Sequence, residues 1–250
     1  MLEIFDTICA HAHHGGFNVI YGNPGVGKSV IKEHIEALHS ERENVIISFS
    51  RTMHTYNQII LQMADALKIE TSTKKIETEI IRYAHAVHNS SKKLFVVIDE
   101  AHLLHPEVMR KLRLFLDQFP RRYTLVLFGQ SGLMHLLALK HNSDIKTRIT
   151  YSAHLKPLTD EAMEAFILKE LQESKIGVQV FDEAAIELIT RAVEGNLRLC
   201  RNLAYYSLVD ACYDEAKRVT PHHVNRILMM PHWRTQKEIY QHAAKEDQSK

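Results

Sequence analysis

The chain has 250 residues, 45% of them hydrophobic and 24% charged, an ordinary balance for a folded protein with one large domain or a core plus a smaller second one. Lys and Arg (31) nearly cancel Asp and Glu (30), so the bulk charge does not point to nucleic acid and any basic surface must be local. No apolar run approaches the ~20 residues of a membrane span, and the opening Met1-Leu2-Glu3-Ile4-Phe5-Asp6 lacks the cationic start of a signal peptide, so the expected location is the cytoplasm, with no membrane contact.

Cys9, Cys200 and Cys212 form an odd set without a C-x-x-C pair and read as reduced, mostly buried thiols. The histidine count is high, at 17. Yet His11-Ala12-His13-His14 and His222-His223 have no Cys, Asp or Glu at ligand spacing, and adjacent side chains on a helix diverge. These histidines read as solvated or locally bonded.

Along the chain, residues 1–14 carry a partial apolar helical face, Leu2, Ile4, Phe5 and Ile8. The run Phe17-Asn18-Val19-Ile20-Tyr21 is a first strand. It enters Gly22-Asn23-Pro24-Gly25-Val26-Gly27-Lys28-Ser29, which matches G-x-x-x-x-G-K-[ST] at every fixed position. Glycines there let backbone N–H groups curl around a polyphosphate. Residues Asn23 to Val30 are therefore the expected nucleotide contacts, with Lys28 on the β- and γ-phosphates and Ser29 on Mg²⁺. Val30, Ile31, His34, Ile35 and Leu38 leave the loop as one face of a helix.

Asn44 to Phe49 is a second strand, followed by helical stretches from Tyr56 to Ile69 and from Ile76 to His88. Leu94-Phe95-Val96-Val97-Ile98 is apolar on both faces, as a central parallel strand requires. It ends in Asp99-Glu100. A parallel strand delivers these to the edge that holds the phosphate loop, Asp99 for Mg²⁺ and Glu100 to orient and polarise the attacking water.

Pro106 opens a helix that runs to Phe119-Pro120. Tyr123 to Phe128 is the fourth strand, with Gln130 at its tip for the γ-phosphate or the lytic water. Gly129-Gln130-Ser131-Gly132 is not a nucleophile elbow, because Leu133 stands where G-x-S-x-G needs glycine. Ile149 to Leu155 is the fifth strand. Strands alternating with helices imply a doubly wound parallel five-stranded sheet over residues 1–156.

After Lys156-Pro157 the strands stop. Start signals at Thr159-Asp160, Phe181-Asp182 and Thr220-Pro221 predict a small helical domain over 157–232, followed by a polar tail over 233–250 that could bind a partner. Two arginines are candidates for stabilising the charge of phosphoryl transfer: Arg148, just before the fifth strand, where a neighbour's nucleotide could be met, and Arg198, in Glu194-Gly195-Asn196-Leu197-Arg198.

The phosphate loop, Val96–His102 (a D-E-A-H box followed by Leu103-Leu104), Leu127-Phe128-Gly129-Gln130, the Arg148-Ile149 step into Leu155-Lys156-Pro157-Leu158, and Gly195-Asn196-Leu197-Arg198 together resemble the AAA+ superfamily. Within it the chain looks most like the branch of ExeA-type secretion ATPases and MuB- and TniB-like transposition ATPases. The resemblance implies an ATP- and Mg²⁺-dependent oligomer, ring or helical, with Arg148 as the trans arginine and Arg198 as the sensor of a C-terminal lid. The full secretion ATPases continue into a membrane segment and a wall-binding domain, and nothing of that kind follows residue 250. The expectation therefore falls on the transposition-type role, an ATP-bound filament that coats duplex DNA and presents target to a transposase or similar recombinase. The alternative is a switch acting on protein partners in secretion or defence, without DNA. The D-E-A-H box does not make a helicase, because the other helicase motifs are missing.

For the DNA, the segment after the second strand offers Arg51, Thr52 and His54, followed by Lys74 and Lys75. Such contacts are to phosphates and need several cations on one surface. No helix-turn-helix or zinc finger is visible.

Overall fold

The computed structural model describes residues 2–40, 43–49, 55–139 and 142–233. The sequence-expected contacts Arg51, Thr52 and His54 and most of the 233–250 tail lie outside them. The chain divides into two compact units, residues 1–156 and 157–250.

The first unit is built on five parallel strands, β1 (Gly16–Gly22), β2 (Asn44–Phe49), β3 (Lys93–Ile98), β4 (Tyr123–Gly129) and β5 (Tyr151–Leu155), in the order β2-β3-β4-β1-β5. The doubly wound five-stranded parallel sheet expected from the strand–helix alternation is the fold. In β3, Leu94, Val96 and Ile98 face one core and Phe95 and Val97 the other, which is why this strand shows no polar alternation. Helices α1 (Leu2–His11) and α2 (Lys28–Ala37) cover one face, closing a core with Ile8, Ile31, Ile35, Phe95 and Phe128. On the other face lie α3 (Tyr56–Ala66), α4 (Ile76–Asn89) and α5 (Pro106–Leu116), followed by α6 (Gly132–Ala138) and α7 (Ser143–Lys146), around Met63, Ile80, Leu112, Phe115 and Leu133.

Several ends differ from expectation. α1 stops at His11, because the N–H groups of His13 and His14 reach back three residues in a tight turn into β1. α5 stops at Leu116 rather than Phe119; Gln118 and Phe119 bond the carbonyls of Phe115 and Leu116 in the tightened turn that precedes Pro120. On α2, His34 is exposed and Lys32 takes a core position instead, 7% exposed.

The second unit holds α8 (Asp160–Glu173), α9 (Glu183–Ala192), α10 (Leu197–Tyr213) and α11 (Pro221–Leu228). Met163, Ile167, Ile189, Leu203 and Val224 are its centre. Three of its helices start at the sequence signals Thr159, Asp182 and Thr220, and the Thr159 hydroxyl accepts the Ala162 N–H at 3.4 Å. The fourth, α10, starts at Asn196, whose Oδ1 accepts the N–H groups of Arg198 and Leu199 at 3.1 Å. His223 is buried and its Nδ1 accepts the Thr220 N–H at 2.9 Å, so this histidine is locally bonded. Of the thiols only Cys200 is buried, and burial pushes its pKa up to about 12; Cys212 is exposed. No described helix is long and apolar enough to cross a membrane.

Candidate active site

The site forms where the C-terminal ends of β1, β3 and β4 come level. Tyr21 pairs with Gly129 and Ile98 with Leu127, so the residues that follow each strand leave the sheet at one edge. This is the edge at which doubly wound sheets bind ligands.

From β1 the chain turns sharply through residues 22–27. At Gly22 a Cβ would stand 2.5 Å from the Leu155 carbonyl oxygen of β5, so no other residue lets these strands lie so close. Gly25 and Gly27 have φ of 84° and 102°, a region that side chains disfavour. Gly27 stands at the start of α2, with no side-chain hydrogen bond at the cap. Helix N-termini of this kind suit phosphate. Lys28 is buried (8% exposed), and its Nζ donates to the carbonyls of Gly22 at 2.7 Å and Asn23 at 2.8 Å. Asn23, Pro24 and Ser29 are exposed, Gly25 and Val30 partly so, and Val26 is packed inward.

From β3, Asp99 is fixed by its N–H on the Phe49 carbonyl at 3.3 Å. Its Oδ1 accepts the Glu100 N–H at 2.8 Å, and its Oδ2 meets Lys32 Nζ at 3.3 Å. Lys32 continues to Glu36 at 3.8 Å, and the Ser48 hydroxyl donates to that carboxylate. A buried ammonium without such partners would be costly. Glu100 adopts a left-handed conformation, φ 52°, a cost of about 1–2 kcal/mol for a residue other than glycine. Such conformations persist where surrounding structure over-determines them, commonly at functional sites. Its carboxylate is partly exposed at the rim.

From β4, Gln130 follows immediately and its N–H donates to His102 Nδ1 at 3.4 Å. The phosphate loop, Asp99, Glu100 and Gln130 are thus brought to one edge.

Arg148 is not there. It stands before β5, at the N-terminal edge of the sheet, about 20 Å from the loop by the length of a strand. Its guanidinium is half exposed and ion-paired to Asp117, which also holds Arg113 at 3.0 Å, while Arg113 reaches Asp144. Near this network burial, and then Asp117, push the Tyr123 hydroxyl up to about 12. Arg198 lies in the second unit, exposed in the first turn of α10. Lys74 and Lys75 are exposed in the connection that leads into α4.

A Ser29 hydroxyl and an Asp99 carboxylate are the hard oxygen donors that Mg²⁺ prefers, and the glycine turn leading into the start of α2 suits a polyphosphate. Both groups fit. Among the described residues there is no cluster of three His, Cys, Asp or Glu for another metal.

The sequence reading missed two side chains at this site. Lys32 could have been found from its place one helical turn after Lys28. His102 was seen only as the last letter of the D-E-A-H box, and no local signal shows that it meets Gln130.

Residues 11–137 match the family described as AAA domain. The chain is 26% identical to general secretion pathway protein A of Aeromonas hydrophila over 84% of its length, and it spans 41% of that relative. Among solved structures it is similar to Cdc6p of Pyrobaculum aerophilum, with TM-score 0.71 at 19% identity, covering 89% of this chain and 64% of that one. Drosophila ORC bound to DNA gives 0.69 at 16% identity, covering 94% and 61%. A RuvB mutant of Thermotoga maritima gives 0.62 at 17%, covering 90% and 67%. At these identities the structural likeness is one of fold.

Proposed function

The chain belongs to the AAA domain family and is an AAA+ ATPase, and from that premise we propose that it works as an ATP-dependent oligomer that assembles on duplex DNA and regulates a transposase or similar recombinase. The observation that carries the oligomer is the separation of Arg148 from its own phosphate loop by the length of a strand. An arginine placed so is out of reach of its own nucleotide, which supports a role at a neighbour's. Arg148 held by Asp117 is then a finger kept extended for the next subunit.

Within one subunit, Lys28 leaves its loop carbonyls for the β- and γ-phosphates of ATP, and N–H groups at the start of α2 take phosphate oxygens. Ser29 and Asp99 would hold Mg²⁺, which when bound neutralises charge on the phosphates. Glu100 accepts the proton of the attacking water, and Gln130 touches the γ-phosphate or that water. Arg198 takes the part of γ-phosphate sensor that the AAA+ resemblance gives it. An arginine beside the transferred phosphoryl group is worth ~10³–10⁵ in rate.

DNA contact falls to Arg51, Thr52 and His54 after β2, with the exposed Lys74 and Lys75. The experiment is anisotropy of a labelled random-sequence duplex at near-physiological salt with ATP, ADP or no nucleotide. Tight, cooperative binding with ATP alone is expected, weakening steeply as salt rises. Absence of binding in every state, with hydrolysis intact, would overturn the DNA role. It would leave the reading favoured by the likeness to general secretion pathway protein A, a switch acting on protein partners.

A further inference from the structure

Behind the catalytic edge one imidazole faces two partners at once. His102 lies in the short 3-10 turn Ala101–Leu103 that follows Glu100, with its side chain only 12% exposed. Its Nδ1 accepts the Gln130 N–H at 3.4 Å and stands 3.5 Å from Glu100 Oε2. At Gly129 a Cβ would crowd the Leu133 side chain, at 2.8 Å from Cδ2, and would only just touch the His102 backbone nitrogen at 3.4 Å.

A ring nitrogen carries either a lone pair or a hydrogen, so Nδ1 can serve only one of these neighbours at a time. With the hydrogen on Nε2 it accepts from Gln130, and its lone pair faces the Glu100 carboxylate, an unfavourable meeting. With the hydrogen on Nδ1 it donates to Glu100 and must give up Gln130. Both contacts are longer than an ordinary hydrogen bond.

We propose that His102 is a positioning residue that ties the aim of Glu100 to the end of β4. While Gln130 donates to Nδ1, Glu100 is turned from the water. When the Gln130 side chain engages the γ-phosphate and its backbone N–H is drawn from Nδ1, the ring hydrogen moves from Nε2 to Nδ1 by exchange with solvent, and Nδ1–H holds Glu100 toward the water. Hydrolysis is thereby licensed by the γ-phosphate itself. The proposal rests on Glu100 as the base and Gln130 as the γ-phosphate contact, and it adds the link between them.

The test uses three substitutions in the full chain. Asn places an acceptor and a donor near the Nδ1 position, whereas Gln extends past it and Leu offers neither. His102→Asn should keep kcat within ~3-fold of wild type, while His102→Gln and His102→Leu should lower it ~10–100-fold, the usual range for groups that orient a first contact. KM, ATP affinity and Tm should stay near wild type in all three. His102→Leu turning over at the wild-type rate would overturn the link, and so would His102→Asn falling as far as His102→Leu with its Tm intact. Glu100→Gln runs alongside: if it stalls while His102→Leu does not, the link alone fails, and if it turns over normally, the assignment of the base fails.

Discussion

Lys28→Ala should weaken ATP binding by at least ~100-fold, about 2.8 kcal/mol, because it removes the one cation of the loop, proposed to meet the phosphates. The same substitution removes the donor from the Gly22 and Asn23 carbonyls, to which Nζ is bonded at 2.7 and 2.8 Å. Some stability should therefore go with it, at about 2–4 °C in Tm per kcal/mol for a chain of this size. Measuring Tm and nucleotide affinity together separates the two effects. Affinity retained within tenfold in a folded variant would contradict the assignment of the phosphate loop. Because the helix start and the glycine turn remain, residual weak binding of ADP is compatible with the account, whereas ATP-driven turnover is not.

Glu100→Gln should bind ATP normally and hydrolyse it ~10²–10⁴-fold more slowly, the range by which a positioned base contributes. The amide keeps the size of the side chain and one acceptor oxygen, but it cannot take a proton from water. The left-handed backbone at this position, φ 52°, is unaffected by the exchange, so stability should hardly change. With turnover blocked, the ATP-bound oligomer should persist, visible as a larger species in light scattering. Wild-type hydrolysis in this variant would reject Glu100 as the base and leave Asp99 to be tested in its place.

What was legible in the sequence follows from what local pattern can encode. The double-faced apolar run of β3 announced a central parallel strand, and the phosphate loop announced both its chemistry and the strand and helix beside it. A parallel sheet then brings Asp99, Glu100 and Gln130 to the edge where the loop lies, because every strand points the same way. Side-chain partnerships across elements were not legible. Lys32 on Asp99, Arg148 on Asp117 and His102 on Gln130 join residues 67, 31 and 28 positions apart, and depend on register and on the width of the helices between strands. Nor does local pattern show that Glu100 is left-handed, since that strain is imposed by its surroundings. His34 on the apolar stripe of α2 misled for a related reason. Period alone does not say which charged side chain finds a buried partner, and here it is Lys32.

The most direct test of the account is complementation between two inactive variants, Arg148→Ala and Lys28→Ala. Each alone should fail to turn over, the first for want of an arginine to offer its neighbour, the second for want of bound nucleotide. Mixed equally, about a quarter of the interfaces in a randomly assembled oligomer join an intact nucleotide site to an intact arginine. Hydrolysis should reappear at roughly that fraction of wild type and peak near equal mixing. No recovery at any ratio, in mixtures shown by size to co-assemble, would contradict a site completed across subunits.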